Sequence, residues 1–231
     1  MQQLNSVDTS PDTHTCLTER VVVRTSEIPW HPSPSTTVVR KSLYREGGEM
    51  GPVTSIVRYA MDSQFPAHTH PGGEEILVLE GVFSDEHGDY PAGTYLLNPV
   101  GSRHAPFSKQ GCVLFVHLRQ YAGHDRNPLA IDTNKLTWQP STLPGIATKL
   151  LYAQLGYPEK VSLEQWQAGA ARTFAIGHAP TEFYVLEGSL QDEDAEYPAM
   201  TWLRIPSQSS ARHFYSKQGC TFYLKLQESP A

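Results

Sequence analysis

The chain of 231 residues has few cysteines, no cluster of basic residues and no apolar run long enough to span a membrane. Its three cysteines, Cys16, Cys112 and Cys220, make no disulfide framework, as is typical of a reducing compartment. The formal net charge is −6, without the basic stripe that a nucleic-acid surface needs. The N-terminus shows neither the basic region nor the apolar core of a secretory signal. We therefore expect a cytoplasmic protein that binds neither nucleic acid nor membrane.

The sequence also lacks a long stretch with the apolar period of a helix. Val, Ile, Thr, Tyr and Phe fill short segments between closely spaced Pro and Gly residues, which is the pattern of strands and turns. The segments predicted as strands are 20–24, 37–44, 54–61, 76–83, 93–97 and 112–118. Many short strands joined by tight turns predict an all-β sandwich or barrel.

An internal duplication with a period of about 108 residues runs through most of the chain. The repeated segments are Trp-x-Pro-Ser at 30–33 and 138–141, Val-Leu-Glu-Gly at 78–81 and 185–188, and Ser-Lys-Gln-Gly-Cys at 108–112 and 216–220. The sequence therefore predicts a flexible lead-in at 1–19 and two similar β domains, at 20–126 and 127–231.

Ligand-type side chains are concentrated in the first repeat, where His68 and His70 precede Glu74. Alternate side chains of an extended strand point to the same face, so the two imidazoles should converge. A turn through Pro71–Gly73 would bring Glu74 back to them. Further along, the turn residues between Gly93 and His104 would deliver a third imidazole from a later hairpin. Three imidazoles and one carboxylate suit a divalent metal ion.

These two stretches match both motifs of the cupins. The first motif is His-x-His, three residues, Glu, six residues and Gly; the second is Gly, five residues, Pro-x-Gly, two residues and His. The segments 79–90 and 108–112 further resemble the ChrR-type cupins. The resemblance implies two tandem double-stranded β-helix (jelly-roll) domains, with a metal held inside the first barrel by His68, His70, Glu74 and His104. Glu75 is the alternative to Glu74, which we prefer because only Glu74 has the six-residue gap to Gly81.

The second repeat has lost most of this set. Ala175 and Gly177 stand at the offsets of His68 and His70, and only His178, Glu182 and His213 fall in partial register. We expect a degenerate scaffold domain there, while a three-ligand site or an organic ligand in its pocket is left open.

Three other side chains allow simpler expectations. Cys112 and Cys220 begin equivalent strands, where packing in the core is favoured over a catalytic thiol. His117 aligns with Lys225, which predicts a solvent-facing position.

The chemistry of the predicted site leaves three functions open. Zinc would fit best, and iron, manganese or nickel would also fit. The ChrR resemblance implies a regulatory or stress-sensing metalloprotein with a protein partner, although no zinc-type His/Cys cluster precedes residue 20, so direct anti-sigma activity is not expected. The alternative is a dioxygenase or related oxidoreductase acting on a small molecule such as a diketone, and the third is a passive binding scaffold. No catalytic residue is assigned, and a monomeric pseudo-dimer and a homodimer are equally expected.

Overall fold

The computed structural model describes residues 11–227, which are almost entirely strands and loops. This confirms the predicted all-β class. The strands, numbered along the chain, are β1 (Val21–Arg24), β2 (His31–Pro32), β3 (Val38–Arg45), β4 (Val53–Tyr59), β5 (Ser63–Gln64), β6 (His68–Thr69), β7 (Glu74–Asp85), β8 (Gly88–Pro91), β9 (Thr94–Asn98), β10 (Arg103–His104), β11 (Phe107–Ser108), β12 (Cys112–Leu118), β13 (Leu129–Asp132), β14 (Gln139–Pro140), β15 (Ile146–Ala153), β16 (Glu159–Trp166), β17 (Ala171–Phe174), β18 (Thr181–Gln191), β19 (Glu196–Pro198), β20 (Thr201–Ile205), β21 (Arg212–Tyr215) and β22 (Cys220–Gln227). Two single turns of 3-10 helix lie at Gly48–Met50 and Thr133–Lys135, and no described helix is long and apolar enough to cross a membrane.

The first compact unit is built on an antiparallel sheet with the order β13-β9-β7-β12-β4-β3-β2. Its central strand β7 changes partners at Gly81, pairing with β9 and β12 before this residue and with β8 and β11 after it. Gly81 has φ 71°, and a Cβ there would lie 2.0 Å from the carbonyl oxygen of Gly111. Only glycine fits this bend, which carries a single strand around the corner of the barrel.

The second unit repeats this design in the order β1-β20-β18-β22-β16-β15-β14. Its long strand β18 bends in the same way at Gly188, where φ is 69° and a Cβ would meet the carbonyl oxygen of Gly219 at 2.1 Å. The duplication seen in the sequence is therefore a duplication of the fold.

The two units exchange equivalent segments of chain. The first unit comprises the chain up to Thr15 with Pro29–Lys135, and the second comprises Cys16–Ile28 with Leu136–Ala231. Strand β1 pairs with β20 and strand β13 pairs with β9. These units are discontinuous in the sequence, whereas the predicted domains, 20–126 and 127–231, are continuous.

The flexible lead-in was predicted at 1–19, and its first ten residues lie outside the described part of the chain. Residues 11–15 are attached to the first unit, since Thr13 and Arg45 exchange backbone hydrogen bonds of 2.9 and 3.0 Å, whereas the remaining residues of the lead-in belong to the second unit. Part of this segment is therefore ordered by a bridge to the edge of the sheet.

Each unit has its own core, and the two cores differ in character. The first contains Val38, Tyr59, Ile76, Phe83 and mostly aliphatic neighbours. The second is dominated by aromatic rings, which are those of Trp166, Phe174, Phe183, Tyr197, Phe214 and Phe222. The prediction that His117 faces solvent is wrong, because this side chain is fully buried on the other face of the first sheet.

Candidate metal centre

A two-stranded ribbon brings the histidines of the first unit together. Strands β6 and β10 pair so that His68 lies opposite His104. The ribbon continues past β6, since the amide of His70 donates to Ser102 and the carbonyl of His70 accepts from Gly101, both at 2.9 Å. His68 and His70 lie two residues apart on this extended backbone, so both rings turn to the side where His104 lies.

The three imidazoles form a tight cluster. One ring nitrogen of each of His68, His70 and His104 lies within 4.8 Å of the others, and Nε2 of His70 is 3.0 Å from Nε2 of His104. Two nitrogens that bind one ion at 2.0–2.1 Å are separated by about 3.0 Å at a right angle and about 3.4 Å at the tetrahedral angle. The observed separation therefore fits two ligands of a single metal ion.

Glu74 brings a carboxylate to the same point. Its Oε2 lies 3.3 Å from Nε2 of His70 and 3.6 Å from Nε2 of His104. Glu74 is the first residue of β7, and its Oε2 also accepts a hydrogen bond of 2.9 Å from the Asn98 amide. The structure thus places Glu74 beside the buried His70 and His104, with the half-buried His68 completing the group of imidazoles, and the roles of all four as ligands stay a prediction.

Glu75 points to the opposite face of the sheet, as alternation along β7 requires. Its carboxylate accepts a hydrogen bond from the Tyr121 hydroxyl and lies 3.3 Å from Nδ1 of His117. Of the two neighbouring glutamates, only Glu74 therefore lies beside the imidazoles.

Acceptors behind two of the imidazoles fix which ring nitrogen faces the cluster. Nδ1 of His68 lies 2.9 Å from the carbonyl oxygen of Pro66, and Nδ1 of His104 lies 3.3 Å from Oδ2 of Asp85. Each acceptor favours the tautomer with the proton on Nδ1, which leaves the Nε2 lone pair for a metal.

Asp85 is a positioning residue that sequence reasoning missed. Its other oxygen accepts from the hydroxyl of Tyr90 at 3.1 Å and from the amide of His87 at 2.8 Å. The available signal was a further repeated segment, Asp-Glu at 85–86 and 192–193 followed by Tyr-Pro-Ala at 90–92 and 197–199. In the second unit the equivalent Asp192 accepts from Tyr197 at 2.7 Å, so the pair also has a structural role without histidine ligands.

Burial sets the charge of the cluster. Desolvation, followed by the neighbouring His68 and His104, lowers the pKa of His70 to about 3, and desolvation also lowers the pKa of His104. Burial raises the pKa of Glu74 to about 7, against the hydrogen bond from Asn98 that lowers it. The imidazoles of His70 and His104 are therefore neutral at physiological pH, the form that binds a metal.

A cavity of about 280 Å³ opens beside this cluster. His68 and His70 form part of its wall, together with Phe65, Arg40 and Arg119. A volume close to the lower end of ordinary ligand pockets suits a small molecule next to the imidazoles.

The second repeat does not assemble an equivalent site. His178 and His213 are exposed, and His213 lies 3.1 Å from the hydroxyl of Thr173. Glu182 is buried but accepts a hydrogen bond of 2.9 Å from the indole of Trp202. Across residues 11–227, the histidines of the first unit are the one group of three side chains close enough to hold an ion.

The buried cysteines behave as core residues. Burial raises the pKa of Cys112 and of Cys220 to about 11, so both are protonated thiols at neutral pH. A neutral, buried thiol is a poor nucleophile, which agrees with the packing role expected for both.

Comparison with known proteins supports the fold and the repeat. The family model described as the ChrR cupin-like domain matches residues 18–122 and again 126–230, which confirms the predicted resemblance. No curated protein matches the chain significantly in sequence.

Several solved structures share the fold at low sequence identity. A protein from Nostoc punctiforme with a provisional dioxygenase assignment is 16% identical, with a TM-score of 0.76 over 92% of this chain and 84% of that one. A bacterial pirin from Escherichia coli, solved with nickel(II), is 12% identical, with a TM-score of 0.69 over 92% and 100%. A variant of oxalate decarboxylase from Bacillus subtilis is 11% identical, with a TM-score of 0.64 over 90% and 77%. Identities this low establish a shared architecture and no shared activity.

Proposed function

The chain belongs to the ChrR cupin-like domain family, and we propose that its first unit is a mononuclear metal centre that acts on a small molecule. The observation that carries this proposal is the three-imidazole cluster, two of whose members, His68 and His70, form part of the wall of a cavity of about 280 Å³. A closed structural site uses all of its coordination positions for protein ligands, whereas a reactive site keeps a position that faces a pocket.

The residues present suit a divalent ion on chemical grounds. His68, His70, His104 and Glu74 together supply three neutral nitrogens and one carboxylate, so a dication would leave the site with a net charge near +1. When bound, a redox ion such as iron, manganese or nickel supplies dioxygen activation, whereas zinc supplies a Lewis acid.

The surrounding side chains have separate tasks in this proposal. Asp85 and the carbonyl of Pro66 hold two rings in the tautomer that presents Nε2. Asn98 holds Glu74 in place by its hydrogen bond to Oε2. Phe65 lies on the cavity wall next to His68, with ring centroids 5.2 Å apart, and helps to exclude water from the reacting molecule.

We propose a dioxygenase as the reaction to test first, because the cavity admits a small organic substrate beside the cluster. Such a reaction places both atoms of dioxygen in the organic product and needs no other reductant. Support from the Nostoc punctiforme structure is limited to the fold.

Elemental analysis of the purified chain tests the metal centre directly. We expect one equivalent of a transition metal in the parent chain, a large loss in His104→Ala and no loss in His213→Ala. His213 is the control because it is exposed and lies in the second unit. Equal metal content in the parent and in His104→Ala would overturn the proposal.

Oxygen consumption then separates the two candidate functions. A dioxygenase consumes dioxygen with a member of a panel of diketones and phenols, and loses this activity in His104→Ala. The second candidate, a regulatory metalloprotein, is favoured by the two matches to the ChrR cupin-like domain. It predicts a loaded centre, no turnover across the panel, and a protein partner whose binding depends on His104.

A further inference from the structure

The cavity beside the histidine cluster is unusually basic. Three arginines, Arg40, Arg45 and Arg119, are among the residues that form its wall. Within the part of the chain that the structure describes, no aspartate or glutamate is among them. A small concave site with several guanidinium groups and no carboxylate attracts an anion.

Arg119 is held at this wall by the same turn that follows His70. Its backbone amide donates to the carbonyl of Gly73 at 2.9 Å, and its guanidinium Nη1 donates to the carbonyl of Gly51 at 3.0 Å. Arg119 has φ 58°, a left-handed conformation that is uncommon for residues other than glycine.

Gly72 makes this arrangement sterically feasible. A Cβ on Gly72 would lie 2.7 Å from Cα and 2.8 Å from Cβ of Arg119. The absence of a side chain at Gly72 therefore lets Arg119 pack directly against the metal-motif turn. Arg119 and His70 both line the cavity.

Arg40 approaches the cavity from a different strand. It lies two residues after Val38 on β3, and Val38 belongs to the core of the first unit. Because alternate residues of a strand share a face, Arg40 is directed to the same side. Its charge acts on the buried hydroxyl of Tyr59, where it opposes the rise in pKa that burial causes.

We propose that Arg119 and Arg40 form an anion subsite that binds the carboxylate of a small organic acid next to the histidine cluster. Guanidinium groups bind carboxylates through two parallel hydrogen bonds, which fixes the orientation of the ligand as well as its charge. This inference rests on the proposed function, because it names the class of substrate that the metal centre would receive.

Calorimetric titration of the metal-loaded 231-residue chain with malonate tests the subsite. Malonate is a small dicarboxylate, and malonamide is the neutral molecule of the same shape. We expect malonate to bind at least tenfold more tightly than malonamide. Arg119→Gln and Arg40→Gln should each weaken malonate binding by about tenfold to a hundredfold, as loss of a charged hydrogen bond predicts. Arg119→Lys retains the charge and should lose less than Arg119→Gln.

Arg58→Gln is the matched control, since it removes one positive charge from β4. Its guanidinium stacks 4.3 Å from the ring centroid of Trp30 and it is absent from the cavity wall. Malonate affinity should stay within twofold of the parent in this variant. Circular dichroism confirms that each variant is folded.

The outcomes separate this inference from the proposed function because metal content is measured in the same samples. Full metal content without a preference for malonate, or with equal losses in the Arg119, Arg40 and Arg58 variants, overturns the subsite alone. A metal-free parent that still binds malonate through Arg119 and Arg40 supports the subsite and overturns the metal centre. Inorganic phosphate that binds more tightly than malonate overturns the assignment to an organic carboxylate.

Discussion

The hydrogen bond between Asp85 and His104 gives a sharp test of how the proposed metal centre is built. Asp85 accepts on both sides, from Nδ1 of His104 at 3.3 Å and from Tyr90 and the amide of His87. An Asn side chain has one acceptor oxygen, so Asp85→Asn satisfies only one of these sides. If the amide nitrogen faces His104, the ring is driven to the tautomer that carries its proton on Nε2.

The distance sets the expected size of this effect. A hydrogen bond to a charged group contributes about 1.5–3 kcal/mol, and strong charge-assisted pairs are about 2.7–2.9 Å long. The bond from His104 to Asp85 is longer, at 3.3 Å, so we take the lower end of that range. We therefore expect Asp85→Asn to weaken metal binding by about tenfold, the lower end of what outer-shell partners contribute.

Competition with a chelator of known affinity measures this change in the purified protein. Asp192→Asn is the matched control, because Asp192 accepts from Tyr197 in the second unit as Asp85 accepts from Tyr90. The Asp192 carboxylate also forms ion pairs with two arginines, Arg20 and Arg212. Asp192→Asn should therefore disturb its local turn at least as strongly as Asp85→Asn disturbs the equivalent turn. A loss below twofold in Asp85→Asn, or an equal loss in Asp192→Asn, would show that Asp85 does not position His104.

The remaining predictions concern the folded chain itself. Burial raises the pKa of Glu74 from 4.5 to about 7, so the stability linked to its protonated form is present below pH 4.5 and lost as the pH rises through 7. Chelator-treated Glu74→Gln should therefore be more stable than the parent at pH 8 by up to about 3 kcal/mol in urea unfolding, with no difference near pH 4. Gly72→Ala adds a Cβ 2.7 Å from Cα of Arg119 and should lower the free energy of unfolding by about 1–3 kcal/mol. Val23→Ala, at a position 6% exposed on β1, should cost about 2 kcal/mol without changing metal content, whereas Val22→Ala, at 45% exposure, should stay within about 0.5 kcal/mol.

Each of these three stability predictions would be contradicted by a specific result. A difference between Glu74→Gln and the parent that does not change with pH would show that the carboxyl group does not titrate near neutrality. Unchanged unfolding of Gly72→Ala would mean that the turn and Arg119 can move apart without cost. Equal effects of Val23→Ala and Val22→Ala would deny that β1 packs its inward face into the second unit.

Local patterns in the sequence were enough for the fold class, the duplication and the meeting of the histidines. Alternation along a strand depends only on neighbouring residues, which is why His68 and His70 could be placed on one face. The turn before Glu74 and the hairpin before His104 were also visible as Gly and Pro residues. These features depend on residues that are close together in the chain, so they can be predicted from a single sequence.

Features that depend on long-range register were not predictable. Asp85 reaches His104 because β7 turns the corner of the barrel at Gly81, so one strand supplies Glu74 to one side of the cluster and Asp85 to the other. Alternation along a strand shows which side chains share a face of the sheet, but it does not show whether that face is exposed to solvent or buried. The prediction for His117 was wrong for this reason, because the face on which it lies is buried.

The exchange of edge strands was hidden by the repeat itself. Val21–Arg24 and Leu129–Asp132 occupy equivalent positions in the two halves, and either segment has the composition of an edge strand. Which sheet each one completes is decided by the path of the chain between the halves. A repeat in the sequence therefore establishes that two domains are similar without showing which segments form each domain.

The contrast between the two interiors is the strongest physical argument that the histidine cluster is functional. In the second unit, Phe174, Phe183 and Phe214 pack with ring centroids 5.0–5.8 Å apart, which stabilises the fold by burial of apolar surface. The first unit buries Glu74 with the imidazoles of His70 and His104 instead, and burial of such polar groups opposes folding unless they are paired. Because the same architecture forms without the cluster, folding does not require it. A dication would compensate the convergent lone pairs and the buried carboxylate, so binding of an ion is the simplest reason for one barrel to contain them.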